Sequence, residues 1–180
     1  DLWALTAGCT DSYHCRIEKP RRVAGILWDN RSNLLAQKKR VYGESRFAVV
    51  ASSEWMLHAL SGSSLSSHPR ELIRNGIDTV TFAPQDKSTV RARLGLPLHK
   101  TLILFVATKG IGDQLKGGNY VDQIARDYEH DETKLFIAVG GEKKGENKNV
   151  LHAGYVNDKE LAAYYAAADF FLYPSRADNS

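Results

Sequence analysis

The sequence predicts an α/β fold with parallel sheets, laid out as two successive blocks. Three observations predict it. TLILFVA (101–107) and KLFIAVGG (134–141) are continuous apolar runs, the pattern of strands covered on both faces. Helical periodicity follows each of the long runs, at the spacing of right-handed βαβ crossovers. A less regular strand–helix–strand order, RFAVVAS, SEWMLHALSG and ELIRNG, fills the first half.

Composition narrows the class. With 180 residues, 43% hydrophobic and 25% charged, the chain is globular rather than disordered, collagenous or coiled-coil. No run approaches the ~18 apolar residues of a membrane span, and the N-terminus lacks a secretory-signal pattern. The net charge of +3 is spread over short clusters, Lys38-Lys39-Arg40, Lys143-Lys144 and Lys148. They form no basic stripe and carry no interleaved aromatics, so nucleic acid is not the expected partner. A mild attraction to anionic lipid or to phosphate-bearing ligands is compatible with them. Cys9 and Cys15, with His14 between, do not close a tetrahedral metal site, and no other cysteine completes one. Reduced thiols of a cytoplasmic protein are the expectation.

Taken in order, SNLLAQKKRVYG (32–43) reads as a helix ending at Gly43 and RFAVVAS (46–52) as a buried strand. SEWMLHALSG (53–62) is a helix, with Ser52-Ser53-Glu54 as its cap and Trp55, Leu57 or His58, and Leu60 as candidates for its buried face. ELIRNG (71–76) is a short strand followed by an Asn75-Gly76 turn, both residues tolerating φ > 0. TFAPQDKST (81–89) has proline, polar residues and no periodicity, and reads as the linker between blocks. After the strand at 101–107 come the glycine-rich TKGIGDQLKGG and a helix with Tyr120, Val121, Ile124, Ala125 and Tyr128 on one face. A second buried strand (134–141), the polar loop EKKGENKN and a short strand (149–154) follow. In VNDKELAAYYAAAD, Asn157 and Glu160 have the spacing of a capping box. Leu161, Tyr165 and Ala168 follow on one face, and the alanines make it thin enough to lie close to a sheet. FFLY (170–173) reads as a third long strand, stopped by Pro174.

The glycines fit neither familiar phosphate loop. Gly110-Ile111-Gly112 lacks the third glycine of a dinucleotide fingerprint, because position 115 is Leu. A GxxxxGK[ST] loop running from Gly112 to Gly117 fails because position 118 is Gly. What survives is Lys116-Gly117-Gly118, after a buried strand and before a helix. Bare amides and a positive helix end there attract phosphate, and the lysine adds a point charge. A glycine-rich turn with a solvent-facing lysine is the equal alternative. Asp178 and Asn179, past the last strand, suit sugar or ribose hydroxyls, although turn chemistry explains such residues as readily. The histidines form no i, i+4 metal pair. No catalytic triad can be assigned, and GxSxG is absent.

The order of short motifs resembles bacterial glycosyltransferase family 4 of the GT-B fold. It runs through DLWALTAGC, VVASSEWM, IRNGIDTVTFAP, RARLGLP, ILFVA, LKGG, AVGG, GYVNDKELAAYYAAADFFLYPS and a final DN. The resemblance implies two incomplete Rossmann-like domains. Residues 1–84 would be the later part of an N-terminal acceptor domain, and 85–180 the earlier part of a C-terminal donor domain. It implies a retaining transferase that moves a hexose from a UDP- or GDP-sugar to a glycan or lipid-linked acceptor in polysaccharide biosynthesis. No metal or cofactor would be bound. The protein would be cytoplasmic, with peripheral association at the inner face of the membrane. Lys116, with Gly117 and Gly118, would hold the donor diphosphate. Tyr155 and Val156 would lie near the base. Asp178 would stand where the family has the first Glu of a Glu-x7-Glu pair, and Asn179 and Ser180 would approach through their backbone. Where relatives carry an arginine ahead of the lysine, this chain has Gly110, with Lys109 beside it. It has EKPRRVAG where some relatives have further cysteines. A catalytic-side histidine and the second Glu would fall outside the chain. The expectation is therefore an internal piece, inactive alone, with no catalytic residue assigned within it. A non-catalytic nucleotide- or sugar-nucleotide-binding α/β module is the alternative.

Overall fold

The structure is a computed structural model that describes residues 31–142 and 147–176. The chain divides into two compact units, with the division after Gly76 and the second unit running Ile77–Arg176. Among the described residues no helix is long and apolar enough to cross a membrane.

The first unit contains α1 (Arg31–Glu44), β1 (Val49–Ala51), α2 (Glu54–Ser61) and β2 (Arg70–Leu72). Ser53 starts α2 as expected, accepting from the Met56 amide at 3.2 Å. β1 and β2 pair in parallel from Val49↔Arg70 to Ala51↔Leu72. The expected strand over 46–52 is therefore short, and Val50 is 55% exposed rather than buried. The ladder begins where Val49 donates to the Pro69 carbonyl, and Pro69 has no amide with which to extend it. The small core holds Ala51, Leu60 and Leu65. Of the candidates on α2, Leu60 is buried and Trp55 is largely exposed. Neither Asn75 nor Gly76 takes a positive φ. A strand leaving a parallel pair needs no tight hairpin reversal there.

The second unit contains α3 (Lys87–Arg93), β3 (Thr101–Val106), a 3₁₀ turn (Gly110–Gly112), α4 (Gly118–Asp127), β4 (Lys134–Val139), β5 (Val150–Gly154), α5 (Asp158–Ala167) and β6 (Phe170–Phe171). Its sheet has the order β5-β4-β3-β6, with every pairing parallel. β3 and β4 pair along their whole length, from Thr101↔Lys134 to Val106↔Val139. Apolar residues cover both faces, as the continuous runs require. One face packs Leu102, Leu104, Ile137 and Val139 with Val90, Ala163 and Ala167 of α3 and α5. The other packs Phe105, Phe136, Ala138 and Val150 with Val121 and Ala125 of α4.

Three expectations are corrected here. Residues 87–89, read as the end of a linker, begin α3: Asp86 caps it by accepting from the Thr89 amide at 2.8 Å. The third strand is not long, because β6 pairs only Phe170 and Phe171 with β3. The strand stops before Pro174, which packs on the loop after β3. On α4 only Val121 and Ala125 of the expected apolar face are buried, while Tyr120, Ile124 and Tyr128 stay largely exposed. The capping box at α5 is present in both directions, Glu160 N–H to Asn157 Oδ1 at 3.0 Å and Asn157 N–H to Glu160 Oε2 at 3.3 Å.

A buried guanidinium fastens α3 to this sheet. Arg91 donates from Nε to the Ala167 carbonyl (2.9 Å), from Nη1 to the Leu98 and Lys100 carbonyls, and from Nη2 to Asp169 Oδ2 (2.6 Å). Asp169 also accepts from Lys87 Nζ at 2.7 Å and from the Leu102 amide at 2.8 Å. Burial pushes its carboxyl pKa up. Hydrogen bonds from Lys87, Leu102 and Arg91 outweigh that and hold it at about 2.

Candidate functional site

Strand order decides where a ligand would sit. The chain runs outward from β3 to β4 and β5, then returns to the opposite side of β3 with β6. The switch point therefore lies between β3 and β6, and open parallel sheets bind ligands in the crevice beyond the carboxyl ends at such a point. The loop that follows β3 carries Lys116, and the segment that follows β6 carries Tyr173, Pro174 and Arg176.

These two segments are in contact. The Arg176 amide donates to the Leu115 carbonyl at 2.9 Å. Gly117 lies in the left-handed region at φ 80° and touches Pro174, where a Cβ would stand 2.2 Å from the Pro174 carbonyl oxygen. Gly118 packs as closely on Ile111. Lys116 Nζ lies 5.8 Å from the centre of the Tyr173 ring. Tyr173 in turn stacks on Phe171 with centroids 5.9 Å apart, and Tyr165 of α5 meets Phe171 edge-on at 5.4 Å.

The amides at this loop are not bare. Lys116 N–H donates to Asp113 Oδ1 (3.2 Å), Gly117 N–H to the Gln114 carbonyl (3.3 Å) and Gly118 N–H to the Asp113 carbonyl (2.8 Å). In this conformation the glycines serve close packing, and a phosphate would meet the lysine side chain rather than bare amides. Sequence pattern could not distinguish these roles, because a glycine needed for packing and one needed for amide access look alike.

A second feature lies at the ends of β3, β4 and β5. It is a cavity of about 790 Å³ lined by Lys109, Ile111, Gly140, Gly141, His152 and Tyr155, with Asp122 and Arg126 of α4. Tyr155 is 69% exposed at its rim, whereas Val156 packs partly buried against the core. The structure thus separates the expected donor residues: Lys116, Gly117 and Gly118 are at the switch point, Tyr155 is at the cavity, and Val156 is directed inward. His152 Nε2 is buried without a hydrogen-bond partner. Asp178, Asn179, Cys9 and Cys15 lie outside the described residues. Sequence reading missed the cavity residues Arg126 and His152, since only sheet formation brings α4 and β5 side by side. It also missed Tyr173 for the same reason.

No family model matches the chain, and no curated protein matches it. Among solved structures, the chain is similar to a sucrose-phosphate synthase from Thermosynechococcus elongatus. The TM-score is 0.64 and the identity 19%, over 86% of this chain and 42% of that one. The chain thus spans less than half the length of that structure. The likeness shows the fold: α/β with parallel sheets, in Rossmann-like units of the GT-B type.

Proposed function

We propose that the protein is a glycosyltransferase that moves a hexose, with retention, from a UDP- or GDP-sugar to a glycan or lipid-linked acceptor. The order of motifs supports placing it with family 4, and the fold of a solved sugar-transferring synthase supports the general class. Residues 1–84 are assigned to the acceptor side and 85–180 to the donor side. The observation that carries the reading is the meeting of the Lys116 loop with the post-β6 segment at the topological switch point. There Lys116 supports the negative charge of the departing diphosphate, the main electrostatic task in such a transfer. Tyr155, at the rim of the neighbouring cavity, is assigned to the base, and Asp178 and Asn179 are assigned to the sugar. The reading needs no metal, the lysine supplying the positive charge. Transfer takes place in the cytoplasm, with the protein held peripherally at the inner face of the membrane.

Calorimetric titration of the 180-residue chain with UDP, GDP and their hexose conjugates tests this. One nucleotide series is expected to bind, and Lys116→Ala is expected to weaken it by ~10-fold or more, the worth of a charge-assisted hydrogen bond. Absence of binding by every nucleotide to a folded chain would overturn the reading.

A further inference from the structure

The Lys116 ammonium is the charge on which the proposed function depends, yet it sits on a flexible four-carbon stem. What aims it is therefore a question in its own right. Its backbone is held: the amide is tied to Asp113, and the next residue is pressed against Pro174. The far end of the side chain meets a ring, with Nζ 5.8 Å from the Tyr173 centroid, inside the distance at which a cation is drawn to an aromatic face.

Tyr173 is itself braced. Its ring stacks on Phe171 at an interplanar angle of 29°, and Phe171 is met edge-on by Tyr165, whose neighbour in turn is Phe82 at 6.4 Å. The row joins β6, α5 and the segment before α3. Tyr173 is 52% exposed, and the row braces its ring. Here its face is presented to the loop after β3, at the carboxyl ends where the switch-point crevice opens.

We propose that Tyr173 is a positioning residue: its π face holds the Lys116 ammonium at the switch point, so that the charge is aimed before a diphosphate arrives. This rests on the reading of Lys116 as the diphosphate ligand. Tyr173 touches no reacting atom, so its effect passes wholly through the lysine. The role is assigned to the ring, the part of Tyr173 that meets the ammonium.

The test separates this claim from the one beneath it. Lysines are reductively methylated with ¹³C-formaldehyde, and the Lys116 resonance is assigned with Lys116→Arg. Ring current is expected to displace that resonance upfield in the wild type and in Tyr173→Phe, and to leave it undisplaced in Tyr173→Leu. On unmethylated protein, UDP and inorganic pyrophosphate are titrated calorimetrically. Tyr173→Leu is expected to bind about threefold more weakly, as loss of an exposed cation–π contact implies. Tyr173→Phe is expected to restore wild-type affinity. An undisplaced wild-type resonance, or equal affinity in the leucine variant, overturns the proposal. If the wild type binds no diphosphate, the proposed function falls, and the resonance alone still decides whether Tyr173 places the lysine.

Discussion

The two units use the same local chemistry to different depth. Among the described residues of the first, three residue pairs join β1 to β2, and the core cluster holds Ala51, Leu60 and Leu65. In the second, β3 and β4 pair through six positions, and apolar side chains fill both faces of the sheet. The difference teaches where rigidity is spent. The unit that carries Lys116 has a central strand, β3, with sheet neighbours on both sides, and such a scaffold holds a loop in place better than a two-stranded pair does.

Core truncation gives the largest expected effect. Leu104 is fully buried in β3, between α3 and α5 on its face. Leu104→Ala is expected to cost ~4 kcal/mol in urea unfolding, and Leu60→Ala, in a cluster of three buried residues among those described, ~2 kcal/mol. Equal costs would break the comparison.

Next comes the Arg91–Asp169 clamp of the second unit. Arg91→Ala is expected to cost ~3 kcal/mol, since it removes a buried guanidinium whose charged hydrogen bonds tie the Ala167, Leu98 and Lys100 carbonyls and the partly exposed Asp169 together. The linked pH effect has a definite sign. Asp169 is held at about 2, below the ordinary 3.8. Its contribution is therefore present in full above about 3.8 and is lost as pH falls through about 2. Urea midpoints measured across that window should fall more steeply for the wild type than for Asp169→Asn. Parallel profiles would show that the carboxylate is not stabilised by its partners.

Helix caps give the smallest effect and the sharpest contrast. Asn157→Ala and Ser53→Ala each remove one side-chain cap, worth ~1 kcal/mol. The local loss is the same, but hydrogen exchange should reveal it mainly around α2, where the described core cluster offers fewer buried partners than α5 has. Comparable exchange at α2 and α5 would erase the distinction.

Much of this was legible in the sequence. Unbroken apolar runs announced β3 and β4, because a strand covered on both faces needs no alternation. Asn157 and Glu160 announced the start of α5, because a capping box is a local device. What escaped notice depends on neighbours distant in sequence. α3 buries little besides Val90 and Arg91, so it shows no amphipathic period, and Arg91 gains its meaning from Asp169 far along the chain. β6 reads long because four apolar residues suffice for a strand, but its pairing with β3 ends at Phe171, three residues before Pro174. At the site, the Lys116 loop was visible as lysine and glycines before a helix. Its occupied amides, its tyrosine and the adjoining cavity were not.

The seating of Gly117 on Pro174 also has a kinetic side. The loop after β3 cannot reach its final shape until the last strand has docked, however early β3 and β4 have zipped together. A nucleotide that recognises the finished loop would grip two stretches of chain made far apart in time, and would slow the departure of β6 more than that of any other strand.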